Sequence, residues 1–457
     1  MSISSSTHKI FGIIGRLSLV KSNTLQGLNP KQRAVFLRIQ VKHYTLSTKN
    51  KIINDPIYGF ITIKDELIFK LIDHPSFQRL RRISQLGLTY LVYPGAYHTR
   101  FHHAIGAMHL MGRAIYTLRQ KGHEITPEEE RGVLVAILLH DVGHGPFSHA
   151  LEHTLIPGVS HEALSLKIME DLNQEFDGAL GLAIDIFTNN YPKAFLHQLI
   201  SSQLDMDRLD YLRRDSFYSG VTEGSVNSER LLTMLNVKDD QLVVDAKGIY
   251  SVEKFLVARR LMYWQVYMHK TVLSAEFMLV NILKRAKYLA SKCIALPGTQ
   301  ALQHFLKADY TWNDFEENPE IIAKFLLLDD FDVMSAIKDW ALHEDLILSD
   351  LSRRIVHRKL LKIRLQAAPF DEALPDKLAH GIREQYGFEH GEEDYMLIVA
   401  KVKNHAYNNK KGHINLLYKD GTTSDISQAA DQMTIQALSE PVERHFICYP
   451  RELKHLL

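Results

Sequence analysis

Seven apolar residues, Val133 to Leu139, run directly into the pair His140-Asp141, and Gly143 and Gly145 then end the helical pattern. Nothing else in the chain limits its folding as tightly. Thr126, Pro127 and Glu129 supply an N-cap, an N1 proline and an N3 acid at the other end. The stretch therefore reads as one buried helix that delivers an imidazole and a carboxylate to a single point. An ionised aspartate in apolar surroundings is costly unless a cation or a donor compensates it. His103, in TRFHHAIGAMHL, and Asp207, in LDMDRLDYLRRD, are residues of the same ligand type. Imidazole nitrogen and carboxylate oxygen together suit a divalent ion such as manganese, iron, magnesium, zinc or nickel. We read His103, His140, Asp141 and Asp207 as a metal set carried on several helices, with coordination positions left open as in a catalytic rather than a structural centre.

More ionisable groups accompany these four than a helical core normally holds: Arg100, His144, His149, Glu152, His161, Arg208, Tyr211 and Asp215. Most of the 24 histidines are ordinary surface or hydrogen-bonded residues on this reading, His102, His109 and His123 among them. The case rests on GHGPFSH combined with the downstream DMDRLDYLRRD, not on an isolated His-Asp dipeptide.

The periodicity predicts a mainly α protein. Asp65 to Leu86 is helical and split by Pro75, His102 to Lys121 is a helix ended by Gly122, and Asp205 to Phe217 is another. A long helix is expected over Ser251 to Ser291, before the break at Leu296-Pro297-Gly298. QLVVD (241–245) reads as half of a small hairpin. YMLIVAKVK (395–403) and INLLY (414–418) read as strands separated by a polar turn, which makes the C-terminal region mixed α+β. With 457 residues, three segments are expected: a basic N-terminal extension over 1–46, a helical core over 47–290 and an oligomerisation or regulatory region over 291–457.

Residues 1 to 54 hold nine basic and no acidic residues. An organelle transit peptide, a basic tail, or a start codon placed too early with the protein beginning near Thr48 would each explain this, and the last is the simplest. The remainder holds 45 basic against 53 acidic residues, which argues against broad nucleic-acid binding. Cys293 and Cys448 have no metal spacing and no disulfide framework, which fits a reducing, cytoplasmic setting. No apolar run reaches the roughly 18 to 20 residues that span a bilayer.

The chain resembles the HD-domain metal-dependent phosphohydrolases, and within them the branch of the SAM-and-HD-domain deoxynucleoside triphosphate (dNTP) triphosphohydrolases and their bacterial relatives. The passages that carry the resemblance are NDPIYGFI (54–61), FQRLRRISQLG (77–87), YPGAYHTRFHHAIG (93–106), LLHDVGHGPFSH (138–149), HE (161–162) and DMDRLDYLRRD (205–215). It covers roughly residues 51 to 290 and implies an all-helical HD core, with His103, His140, Asp141 and Asp207 on the metal and a dNTP as substrate. It further implies that Arg100 and Arg208 offset charge on the triphosphate. His161 resembles the general acid at the 5′ oxygen, with Glu162 setting its tautomer, and His144 and His149 line the phosphate and water side. Gln85, Tyr211 and Asp215 resemble the residues that read the sugar, with Gln85 and Tyr211 close enough to the 2′ carbon to exclude ribonucleotides. Arg208 stands where better-known members often carry lysine, and Glu152 where the triphosphohydrolase carries aspartate.

The branch also implies a homo-oligomer, dimer or tetramer, activated by GTP or dGTP bound between subunits. Lys51, Asn54, Asp73, Gln78 and Arg81 resemble the guanine-nucleotide part of that site. Arg230, Lys247, Lys270, Arg358 and Lys362 resemble basic residues around a second nucleotide. Asp73 and Arg81 share a helical face only if their helix is continuous, and RRIVHRKLLKIR (353–364) would equally suit a solvated basic helix face. Two rivals remain: an HD phosphohydrolase for another nucleotide or phosphate ester, and a nucleotide-sensing or nucleic-acid-binding protein with vestigial catalysis.

Overall fold

The computed structural model describes residues 50–152, 154–408, 412–429, 438 and 440–456. The extension expected over 1–46 lies outside them. A strand pair, β1 (Lys51–Asp55) and β2 (Gly59–Ile63), leads into α1 (Glu66–Asp73) and the short α2 (Pro75–Gln78). His74 is extended between these helices, and Pro75 starts the second, so Asp73 and Arg81 do not share one continuous helix.

The core is built on α3 (Arg100–Gln120) and α4 (Pro127–Leu139). Helix α4 opens with the capping box expected, Thr126 Oγ1 accepting from Glu129 N and Glu129 Oε2 from Thr126 N, and ends at His140. Then follow α5 (Ser148–Glu152), α6 (His161–Glu175), α7 (Gly181–Phe187), α8 (Ala194–Gln198), α9 (Met206–Ser219) and α10 (Ser228–Met234). The 241–245 strand, β4 (Gln241–Asp245), pairs antiparallel with β3 (Leu235–Lys238) as the expected hairpin.

The helix expected over 251–291 is interrupted. Helix α11 (Ile249–Met262) passes through a π-helical turn, Tyr263–Tyr267, and α12 (Lys270–Ser291) starts afresh with His269 Nδ1 accepting from Thr271 N. No glycine or proline marks this break.

Helices α13 (Gln300–Lys307), α14 (Trp312–Glu317), α15 (Pro319–Phe325), α16 (Asp330–Trp340) and α17 (Leu346–Val356) complete the helical body. The 353–364 tract is not one helix face: it runs from the end of α17, through Arg358 at φ 53°, into β5 (Lys362–Gln366). After α18 (Ala373–Tyr386), the strands β6 (Ile398–Asn404) and β7 (Asn415–Leu417) do not form a hairpin. Strand β6 joins β5 on either side of β9 (Val442–Tyr449). Strand β7 lies parallel to β4 and antiparallel to β8 (Thr423–Asp425). The exposed edge of the early hairpin wins β7, because pairing there satisfies backbone groups of both. The protein is thus mainly α with a smaller α/β C-terminal region, as expected, and no described helix is long and apolar enough to cross a membrane.

Helices α3 and α9 approach at Gly106, where an added Cβ would sit 2.1 Å from Asp210 Oδ1 and 2.2 Å from Arg214 Nη2. Gly106→Ala should cost about 3 kcal/mol or more through overpacking. Gly112→Ala, in the same helix but facing only Leu134 Cδ2 at 3.9 Å, should stabilise by about 0.5–1 kcal/mol. Urea unfolding midpoints of the two variants check the opposite signs.

Candidate active site

The end of α4 and the first turns of α3 and α9 bring four side chains to one place. One ligand atom each of His103, His140 and Asp141 lies within 4.8 Å of the others. Asp207 Oδ1 is 3.1 Å from His103 Nε2 and 3.6 Å from His140 Nε2. Asp207 is aimed by its neighbour Asp205, the N-cap of α9, which accepts from Arg208 N and Ser202 N at 2.7 Å each.

The residues fit a divalent cation. His103 Nδ1 is bonded to Asp210 Oδ2 at 2.8 Å and His140 Nδ1 to the Ile137 carbonyl at 2.6 Å, which turns both Nε2 atoms inward. Those two Nε2 atoms are buried and have no hydrogen-bond partner. Fixing a ligating imidazole through its other nitrogen is the usual outer support of a metal site. Burial disfavours charge on His103, yet the adjoining Asp207 and Asp210 carboxylates outweigh it and push the imidazole up to about 10. The same carboxylates make this a place where positive charge is favoured. Burial opposes ionisation of Asp141 and Asp207, but the adjoining His140 and His144 around Asp141, and His103 and His140 around Asp207, hold both well below the ordinary range.

A buried chain supports the cluster. Arg214 donates to Asp210 from Nε at 2.9 Å and Nη2 at 3.0 Å, and to Asp55 Oδ2 from Nη1 at 2.8 Å. Burial raises the Asp210 carboxyl, but Arg214 more than reverses it, to about 2. Sequence reasoning missed Asp210, Arg214 and Asp55. Asp210 and Arg214 follow Asp207 at helical spacing within the motif, and that spacing was the available signal.

Arg100 opens α3 and donates to Asp141 Oδ2 at 2.6 Å. His102, as expected, acts locally, its Nδ1 accepting from Thr99 N and capping that helix. Arg208 is paired to Asp205 through Nη1. His144 is held from both sides, by Asp141 Oδ1 at 3.3 Å and Ser148 Oγ at 2.5 Å, and stacks on His161 with centroids 3.8 Å apart. Burial first, then Arg100, keeps His144 well below the usual imidazole value. Gly143 permits this stack: a Cβ there would meet Ser165 N at 2.3 Å and His161 O at 2.4 Å. The expected partner of His161 changes. Glu152 Oε1 holds His161 Nδ1 at 2.9 Å, whereas the exposed Glu162 is 3.3 Å from Nε2. Glu152 is therefore the residue placed to fix the tautomer. The side chain of His149 lies outside the described residues.

Residues 83–85 pair with 98–100, through Gln85 N to His98 O at 3.0 Å and Arg100 N to Ile83 O at 2.9 Å. This sets Gln85 beside Arg100 on the wall of a cavity of about 390 Å³ that Tyr267 and Glu276 also line. The Gln85 Oε1 is buried without a partner. Tyr211 sits edge-on to both His103 and Tyr267, at 6.4 and 6.2 Å between centroids. Both oxygens of Asp215 are engaged, by His98 Nε2 and Tyr267 OH at 2.7 Å each, so its carboxyl reaches the cavity through Tyr267. Glu276, also missed, interrupts an apolar helix face, and burial alone pushes its carboxyl up to about 7.

Of the residues expected to form a second nucleotide site, Gln78 and Arg81 touch one another, three apart in the chain. Asn54, Asp73, Arg81, Lys270, Arg358 and Lys362 are exposed. Arg81 lies over the Phe101 ring at 3.6 Å and bonds Gln78 Oε1, while Arg358 Nε donates to the Leu91 carbonyl. Lys51 is also exposed.

Residues 100–215 match the HD domain family and residues 226–293 the HD associated region. An uncharacterized Bacillus subtilis protein, YwfO, is 36% identical over 322 residues, 69% of this chain and 72% of that protein. A Dictyostelium discoideum protein named deoxynucleoside triphosphate triphosphohydrolase SAMHD1 homolog is 35% identical over 53% of this chain and 51% of its own. The chain thus spans about half the length of that relative. The crystal structure of a phosphohydrolase from Bacteroides thetaiotaomicron superposes with a TM-score of 0.85 at 49% identity, covering 88% of this chain and all of that one.

Two measurements test the site. Asp210→Asn should weaken metal binding by roughly 10- to 100-fold while His103→Ala removes it, read as bound metal per chain after dialysis. Glu276 has a raised folded-state pKa, so its penalty is absent below about 4.5 and grows as pH rises towards about 7. Glu276→Gln should therefore gain up to about 3 kcal/mol over the parent across that window, measured by urea unfolding at each pH.

Proposed function

This chain belongs to the HD-domain family of metal-dependent phosphohydrolases, and from that premise we propose that it hydrolyses dNTPs to the deoxynucleoside and inorganic triphosphate. The observation that carries the reading is the nucleoside-sized cavity whose wall includes both Arg100, on the metal cluster, and the unpartnered amide of Gln85. The relatives named as dNTP triphosphohydrolases support it.

A divalent cation on His103, His140, Asp141 and Asp207 would supply Lewis-acid stabilisation of phosphate charge and a more acidic water. Arg100 and Arg208 offset negative charge on the triphosphate. His161, held at Nδ1 by Glu152, gives its Nε2 proton to the 5′ oxygen as the bond from that oxygen to the α-phosphorus breaks and the hydroxyl of a water takes its place on phosphorus. A neutral His144 beneath it avoids stacking two like charges. Gln85 and Tyr211 close around the sugar, and Asp215 holds the Tyr267 hydroxyl in place there. Activation by a guanine nucleotide and assembly into dimers or tetramers belong to the same proposal, with the exposed Asn54, Asp73 and Arg81 as its surface residues.

The test is incubation with each dNTP and NTP, with manganese or magnesium, with and without GTP, and separation of the products. Intact triphosphate plus deoxynucleoside is expected, with Asp207→Ala slower by more than about a thousandfold. Stepwise phosphate release or a monophosphate product would place the protein in another phosphohydrolase class.

A further inference from the structure

One acid on the cavity wall is answered by no protein group among the described residues. Glu276 projects from α12 into the same space as Gln85, Arg100 and Tyr267. Phe147, Leu273, Phe277 and Val280 line that part of the wall. Among the described residues no hydrogen bond or ion pair engages its carboxyl, and burial is the sole influence on its ionisation. Gly87, at φ 50°, lies beside it: a Cβ there would stand 3.7 Å from Oε1 and 3.8 Å from the Phe147 ring. A desolvated, unpartnered acid weakens a fold. Such groups concentrate where a ligand completes them.

We propose that Glu276 reads the nucleobase and selects a base edge with two adjacent N–H donors, the edge that guanine presents. This deepens the dNTP reading and rests on it. Two carboxylate oxygens accept two parallel N–H···O bonds from the guanine N1–H and 2-amino group. Adenine and cytosine place an acceptor beside their amino group, and thymine flanks its single N–H with two carbonyls, so each sets a lone pair against the second carboxylate oxygen. An apolar surround makes that mismatch costly, since a site built to bond a polar group rejects a ligand that leaves it unpaired.

The experiment compares kcat/KM for dGTP, dATP, dCTP and dTTP in the full-length protein and in Glu276→Gln, and adds calorimetric binding of the four deoxynucleosides. The parent should favour dGTP by at least about tenfold, and Glu276→Gln should lower dGTP at least about ten times more than the other three. Its melting temperature should hold or rise. An equal fall for all four, no loss for dGTP, or a parent preference for dATP or dCTP overturns the assignment, the last because it identifies a neutral acid pairing with a donor–acceptor edge. Nucleoside binding separates this from the reaction itself. Deoxyguanosine preference lost in Glu276→Gln supports the base reader even if no dNTP is cleaved. Cleavage without base preference sinks the base reader and leaves the reaction standing.

Discussion

Asp141, buried, and Asp207, partly buried, aim carboxylates at one nitrogen of His103, from 3.9 and 3.1 Å, and like charges that close need positive charge between them. The surrounding structure is arranged outward from that requirement in shells of alternating sign. Behind His103 stands Asp210, behind Asp210 stands Arg214, and behind Arg214 stands Asp55. Asp55 also accepts from Ile57 N and Tyr58 N, so the last shell is the turn between the first two strands. A ligand sphere buried this deeply is held by the helices themselves, which limits its movement to movement of whole elements.

Much of this was legible in the sequence. The apolar run into His140-Asp141, the Thr126 capping box and the helix following Asp205 are local patterns with local consequences, and they appear close to where expected. The four metal-type residues converge for the same reason: each sits on or at the end of a helix whose buried face was readable. Partners chosen across space were not legible. Glu152 rather than Glu162 meets His161 because the Gly143 loop presses α6 against the His144 ring. Strand β7 pairs with β4, far earlier in the chain, and nothing in INLLY names that edge. The π turn before α12 carries neither glycine nor proline, so the usual residue signals of a helix break are missing there.

The site divides into two mechanical classes. The ligands of the cluster come from α3, α9 and the end of α4 and move only with the core. Glu152, at the end of α5, and His161, at the start of α6, meet at 2.9 Å, and His161 also stacks on His144, which contacts Asp141. His161 therefore meets the cluster through side-chain contacts rather than through a shared helix.

The C-terminal half closes the site from outside. The fully buried Arg79 ties the Leu328 carbonyl, at 2.8 Å, to the Val142 carbonyl beside Asp141. Arg82 pairs with Asp329. Asp330 Oδ2 accepts from Ser84 N at 2.8 Å, on the wall of the cavity. The family boundaries at residues 215 and 293 therefore do not bound the working unit. A fragment cut at either point would keep every metal ligand and lose the clasp that sets the loops around them. The segment 328–330 is tied to Arg79, Arg82 and Ser84, so a C-terminal region borrowed from a relative would bring its own version of the pocket mouth with it.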